Sequence, residues 1–265
     1  MLHDATTREQ FFAQAGAHVD FVVAEFDGMV VLVSTEDSSP DRGLFVTRGR
    51  AQLGALDRAV AALRSAGQWS PCRRSTFLDL GAGAGVRTIA SVRVHGVSKV
   101  VACEQLAVRA ARLRATAMLN DLGSRVHVVH ARAGTGISEG ATGAEPILAL
   151  SVDDLARRGL FVANDVVLLW IDGSVRGAAD VLQGSTCLTS HAPPVVLDIG
   201  SAPDAGALLA LAPHTHMVNL GAGGETAYPL PIGDGAHRVA GPLLLMTATR
   251  RQRDVESASR LPRRD

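Results

Sequence analysis

Phe77-Leu78-Asp79-Leu80-Gly81-Ala82-Gly83-Ala84-Gly85 is the stretch that decides how this chain folds. A short apolar strand runs into an acidic residue and a glycine-rich turn, and a helix-compatible segment begins at Val86. A strand feeding such a turn and helix brings backbone close to a nucleotide, because glycine has no side chain to hold the ligand away. The glycines alternate as G-x-G-x-G. A dinucleotide fingerprint needs G-x-G-x-x-G, with its third glycine where Val86 stands, so a nicotinamide oxidoreductase is disfavoured. Taken alone, a Gly/Ala-rich turn is equally a tight connection, since both residues are abundant in this sequence.

Context favours the nucleotide. Ser98-Lys99-Val100-Val101-Ala102-Cys103-Glu104 reads as a second strand ending in an acid, with Gln105 opening the next helix. A carboxylate at that place in an α/β fold accepts from ribose hydroxyls. Glu104 also reads as a helix N-terminal acid favoured by the macrodipole, and both roles can hold together. With Asp79 two residues ahead of Gly81, the turn resembles motif I of S-adenosylmethionine-dependent methyltransferases. That resemblance implies S-adenosyl-L-methionine as cofactor, bound by Asp79, Gly81, Ala82, Gly83, Gly85, Glu104 and Gln105. The glycines would face the amino-acid moiety, and the carboxylates would accept from its ammonium and hydroxyl groups.

Working outward, residues 1–74 form an N-terminal extension. Strands are expected at 20–25 and 29–33 around the turn Asp27-Gly28. A helix is expected over 52–66, where Leu53, Leu56, Val60 and Leu63 recur at helical spacing. The extension reads as a lid over the cofactor cleft, a dimer surface, or plain structure. Residues 75–249 then alternate strand and helix. The continuous apolar run 165–171 reads as the buried middle of a parallel sheet. Further strands are expected at 125–131, 195–199, 214–220 and 243–247, and helices at 87–95, 105–122, 153–158 and 178–183. This alternation calls for a Rossmann-like, doubly wound, mostly parallel α/β sheet. Residues 250–265 form an arginine-rich tail that reads as a solvated end.

Composition narrows the function classes. Hydrophobic residues make up 47% of the 265, enough for a sizeable core. The formal net charge is zero, which argues against a dedicated nucleic-acid surface. Lys99 is the single lysine among 26 basic residues, a bias that reads as the base composition of a GC-rich bacterium. Three cysteines without a C-x-x-C pattern, and no signal-peptide order at the N-terminus, fit a reducing cytoplasm. No apolar run reaches membrane-spanning length.

Beyond the turn, Asp79-x-Gly81-Ala82-x-x-Gly85-x-x-Thr88 resembles the D-x-G-A-N-x-G-x-x-T opening of FkbM-type methyltransferases. Glu104 and Asn120 stand where that family has a glutamate and an asparagine. Ser151-Val152-Asp153-Asp154-Leu155 is similar to its S-L-D-D-L segment. Leu168-Leu169-Trp170-Ile171-Asp172, followed by Gly177 through Gly184, is similar to its K-I-D-V-E-G-A-E stretch and the V-L-x-G after it. The chain departs from the pattern at Gly83, Trp170, Arg176 and Asp198, with one residue inserted after Asp172. The resemblance implies a class I, seven-stranded fold and methyl transfer to a hydroxyl of a sugar, small molecule or natural product.

Such a reaction needs the acceptor oxygen, methyl carbon and sulfur in line, and a group to take the hydroxyl proton. Asp172, at the end of the fourth strand, is the candidate catalytic residue, as base or orienting carboxylate; it equally reads as a helix-capping acid. Ser201, Asp204, Glu225 and His237 follow later strands and are secondary candidates. His214-x-His216 would share a strand face, but no carboxylate or cysteine stands at ligand spacing, which disfavours a metal. Trp170 and Arg176 leave a second reading open, a module that binds S-adenosylmethionine without catalysis. Nucleic-acid methylation ranks lower, for want of an Asn/Asp-Pro-Pro-aromatic signature.

Overall fold

The computed structural model describes residues 4–36, 41–134, 137–138, 147–173, 175–198, 211, 214, 216–221, 230–231 and 241–247. The N-terminal part runs α1 (Ala5–Gly16), β1 (Phe21–Phe26), β2 (Met29–Ser34), α2 (Asp41–Thr47) and α3 (Arg50–Ser65). The main sheet begins with β3 (Thr76–Leu80), α4 (Val86–Arg93), β4 (Lys99–Glu104), α5 (Ala107–Leu119) and β5 (Val126–His130). Short strands β6 (Arg132–Ala133), β7 (Ile137–Ser138) and β8 (Ile147–Leu150) make a small separate sheet. The chain continues through α6 (Val152–Arg157), β9 (Val166–Asp172), α7 (Val175–Gln183), α8 (Thr186–His191) and β10 (Val195–Asp198). It closes with β11 (His216–Asn219), β12 (Leu230–Pro231) and β13 (Leu243–Met246).

The main sheet has the order β12-β11-β13-β10-β9-β3-β4-β5. Strands β10, β9, β3, β4 and β5 pair in parallel, while β13 runs antiparallel between β10 and β11. The expected seven-stranded, mostly parallel α/β sheet is therefore present, and two-residue β12 adds an eighth strand at the edge. From β3 the chain moves outward to β4 and β5, then crosses back to β9 on the other side of β3. Strand order reverses between β3 and β9, and ligands of open α/β sheets bind outside the carboxyl ends of the strands at such a switch point.

Side-chain alternation explains the layers. Phe77, Val100, Ala102, Leu168 and Trp170 point to the face covered by α3, α4 and α5. Leu78, Leu80, Val101, Cys103, Leu169 and Ile171 point to the other, under α6, α7 and α8. With both faces covered, β3 is buried along its whole length.

The hairpin falls where expected, but α1 and α2 were not legible. Phe12 is the one buried residue of α1, so its sequence carries almost no apolar stripe. Phe12, Leu44 and Phe45 pack against Ala24, Phe26, Val31 and Val33 of the hairpin, and this cluster reaches Val86 at the start of α4. The outer edge of β2 is held by side chains. Asn120 accepts from the Val30 N–H (3.0 Å) and donates to the Val30 carbonyl (2.6 Å), while Thr116 Oγ1 accepts from the Leu32 N–H (3.2 Å). Asn120 is 1% exposed. Asn120→Ala is expected to leave both Val30 groups unsatisfied and to lower stability by about 2–3 kcal/mol in urea unfolding. An unchanged midpoint would mean that water replaces the amide.

His214 and His216 do not share a strand: His214 precedes β11 and its Nε2 meets the Pro193 carbonyl at 2.7 Å, while His216 opens the strand. His191 lies in the last turn of α8, ahead of β10.

Candidate functional site

The turn after β3 is shaped by two close approaches. Gly81 has φ +87°, and a Cβ there would overlap the Asp172 carbonyl oxygen at the end of β9. Gly85, at the same φ, caps α4, and a Cβ would overlap Leu113 of α5. The N–H groups of Gly81 and Ala82 both donate to the Cys103 carbonyl, at 2.9 and 3.0 Å, which pins the turn to β4. Gly83 has no heavy atom within 4 Å of where a Cβ would stand, so its outer surface is open.

Glu104 ends β4 and is buried. Its Oε2 accepts from the Gly83 N–H (3.0 Å) and its Oε1 from the Leu106 N–H (2.9 Å). It thus joins the glycine turn to the start of α5, and each oxygen keeps a second lone pair for a ligand hydroxyl. Gln105 is exposed, with its carbonyl 3.1 Å from His130 Nε2.

Beside the turn, three carboxylates surround one guanidinium. Asp79 is completely buried and accepts from Thr88 Oγ1 at 2.6 Å. Arg87 Nη2 lies 2.8 Å from Asp172 Oδ2, 3.1 Å from the Gly81 carbonyl and 3.5 Å from Asp79 Oδ1. The guanidinium also sits 5.0 Å over the Trp170 ring, within cation–π range. Asp198, paired in register with Asp172 across β9 and β10, completes the group.

Burial pushes the Asp79 carboxyl above its ordinary pKa, and Asp172 adds to this, while Arg87 and Thr88 oppose it. Asp198 is raised by burial first and by Asp172 next, with Arg87 opposing. For Arg87, burial works against the charge, but Asp79, Asp172 and Asp198 outweigh it and hold the guanidinium protonated. Trp170 replaces a lysine of the resembled motif and is fully buried. Its indole N–H lacks a hydrogen-bond partner of good geometry among the described residues, yet it lies near enough to Asp198 to lower that carboxyl's pKa.

Asp79, Gly81, Ala82, Gly83, Gly85 and Glu104 thus gather at the switch point, with Asp172 across the gap and 41% exposed at its side chain. Sequence reasoning missed Arg87 and Asp198 as site residues. Asp198 could have been found as a second strand-end acid in register with Asp172. Arg87 carried no signal, because it fills a variable position of the glycine motif.

Two motif segments have structural tasks. Asp154 and Ser151 form a reciprocal cap on α6. Asp153 reaches across to α8, accepting from the backbone N–H of Thr186 (2.9 Å) and Cys187 (3.0 Å) and from Ser185 Oγ (3.2 Å). Burial alone would raise the Asp153 pKa, but these bonds and the Thr186 hydroxyl outweigh it and hold it below the usual range. Cys103 is a buried hydrophobe whose thiol is pushed up to about 12, chiefly by burial. Among the described residues there is no cluster of metal ligands. No helix among them is long and apolar enough to cross a membrane. Ser201, Asp204, Glu225, His237 and 250–265 lie outside the described residues, as does the Arg176 side chain.

No protein-family model matches the sequence, and no curated protein is significantly similar to it, so the FkbM likeness stands on its motifs alone. Solved structures are similar in fold. In complex with AdoMet, the TYW2 structure from M. jannaschii is 9% identical and covers 85% of each chain, but a TM-score of 0.44 gives it no weight here. The SAM-dependent methyltransferase from Agrobacterium tumefaciens is 12% identical over 86% of this chain and 69% of its own, with a TM-score of 0.51. At that identity the likeness establishes one thing: this chain has the Rossmann-like α/β fold that the Agrobacterium enzyme has.

Proposed function

We propose that this chain is an S-adenosylmethionine-dependent methyltransferase of FkbM type, acting on a hydroxyl of a small molecule, sugar or natural product in a bacterial cytoplasm. The observation that carries this reading is the pairing of an open glycine turn with buried strand-end acids at the switch point. The residues suit the cofactor. Gly83 leaves room for the amino-acid moiety, Glu104 has lone pairs for ribose hydroxyls, and the carboxyl groups around Arg87 offer acceptor oxygens to a ligand's ammonium.

When bound, S-adenosylmethionine supplies an activated methyl group. The protein's own residues then hold and orient. Arg87 takes Asp172 Oδ2 and leaves Oδ1 unpartnered among the described residues, aimed by a guanidinium that is itself fixed by Gly81 and Trp170. Asp172 orients the acceptor hydroxyl or receives its proton through Oδ1. The extension at 1–74 serves as a lid or dimer surface for the domain at 75–249. A catalytically silent binding module is the second reading, favoured by the stacking of Arg87 on Trp170 where the resembled motif has lysine.

Calorimetric titration with S-adenosylmethionine tests the first step. Saturable binding is expected, weakened about tenfold or more in Glu104→Ala, the loss of a charge-assisted hydrogen bond. Release of S-adenosylhomocysteine with trial hydroxyl acceptors should fall about a hundredfold in Asp172→Asn with binding retained. A folded wild-type protein that binds no cofactor would sink both readings; binding without turnover on any acceptor selects the second.

A further inference from the structure

At the opposite edge of the main sheet, where β3, β4, β5 and β9 begin, a cavity of about 420 Å³ opens. Its wall carries Arg73, Arg74, Lys99, Arg125 and His127 against a single acid, Asp165. The whole chain balances 26 basic against 26 acidic residues, so this excess is local. None of Arg73, Arg74, Lys99 and Arg125 is ion-paired with a carboxylate among the described residues. Arg125 is fixed in place: Nε donates to the Ser98 carbonyl (3.0 Å) and Nη2 to that of Val97 (2.6 Å). Burial first, and the Lys99 charge next, lower the His127 pKa, so the imidazole is neutral at pH 7 and the fixed cations are the other four.

Unpaired like charges crowded around a concavity repel one another, and a multiply charged anion relieves that repulsion. Phosphate fits the donors, because guanidinium groups offer paired N–H bonds to its oxygens. The cations span the starts of three neighbouring strands, about 10 Å at 4.8 Å per step, which is wider than one phosphate group. The cavity's other side, under the segment leading into β9, presents the largely exposed Val162 and an edge of the mostly buried Phe161, together with the carboxylate of Asp165. A volume of 420 Å³ is that of a small-molecule site.

We propose that this cavity binds a nucleoside di- or triphosphate, its phosphates on Arg73, Arg74, Lys99 and Arg125 and its base against Phe161 and Val162. The site lies a full strand length, about 16 Å, from the glycine turn, so its ligand is neither methyl donor nor acceptor. The proposal stands whether or not the chain transfers methyl groups.

The test is titration of the full-length protein with ATP, GTP, inorganic tripolyphosphate and a short single-stranded RNA. It compares wild type with Arg74→Glu/Lys99→Glu and with Arg73→Glu, each checked for fold by circular dichroism. Saturable nucleotide binding is expected, weakened about a hundredfold in the double variant through the loss of two charge-assisted contacts. The exposed Arg73→Glu change supplies the same readout should the double variant not fold. No saturable binding of either nucleotide, or unchanged affinity in the folded variants, overturns the proposal. RNA bound more tightly than nucleotide also overturns it. Tripolyphosphate bound as tightly as ATP overturns the placement of a base against Phe161 and Val162.

Discussion

Arg87→Met is expected to cost about 3–5 kcal/mol of stability at pH 7, because it leaves buried Asp79 without its cationic neighbour. The size follows from asymmetry. A buried carboxylate is tolerable while a guanidinium and a hydroxyl face it, and expensive once the guanidinium is gone. The loss should also depend on pH. Burial already raises the folded-state pKa of Asp79, and removing Arg87 raises it further. A raised folded-state pKa contributes stability that is full below the unfolded value, about 3.9, and is lost as pH rises through the folded value. The deficit of Arg87→Met should therefore shrink as pH falls from 7 towards 4, and Arg87→Met/Asp79→Asn should recover much of it at neutral pH. Urea unfolding at several pH values measures this. A deficit that does not change with pH would show that Arg87 matters for packing on Trp170 rather than for charge.

Gly81→Ala and Gly83→Ala should separate stability from ligand binding within one turn. At position 81 an alanine would take a left-handed backbone and collide with the Asp172 carbonyl oxygen, a backbone atom that cannot turn aside. The conformational cost, about 1–2 kcal/mol, adds to an overpacking cost of about 1–3 kcal/mol. A total near 2–5 kcal/mol is expected in denaturant unfolding. At position 83 the backbone is also left-handed, with φ +57°, but nothing stands near the added carbon. Gly83→Ala should cost only the conformational part, about 1–2 kcal/mol, while its methyl group projects into the space assigned to the cofactor and weakens S-adenosylmethionine binding at least about tenfold. Equal destabilisation by the two changes would contradict the geometry of the turn. Full binding by Gly83→Ala would contradict the proposed placement of the cofactor.

The legible parts of this protein are those governed by local rules. The continuous apolar run of β9 announced a strand covered on both faces, and the glycine turn announced the first strand's exit. The Asp27-Gly28 hairpin was visible from turn chemistry. Elements with little apolar pattern of their own were not visible. Helix α1 buries one residue, and α8 is six residues held by a cap from distant Asp153. Asn120 was noticed as part of a motif, but its task, satisfying the outer edge of β2 ninety residues earlier, follows from packing alone.

By itself the sequence determined the strand–helix alternation, the glycine turn and the acids that end three strands, because each depends on neighbours a few residues away. Tertiary structure decided what those acids face. The reversal of strand order between β3 and β9 carries Asp172 and Asp198 to the side of Asp79, and α4 drops Arg87 among them. Parallel pairing lines up the starts of β3, β4 and β5 and gathers Arg73, Arg74, Lys99 and Arg125 around one cavity, and the reversal sets the segment before β9 beside them. In sequence these residues are scattered, and only parallel pairing of the strands, about 4.8 Å apart, makes their charges one electrostatic object.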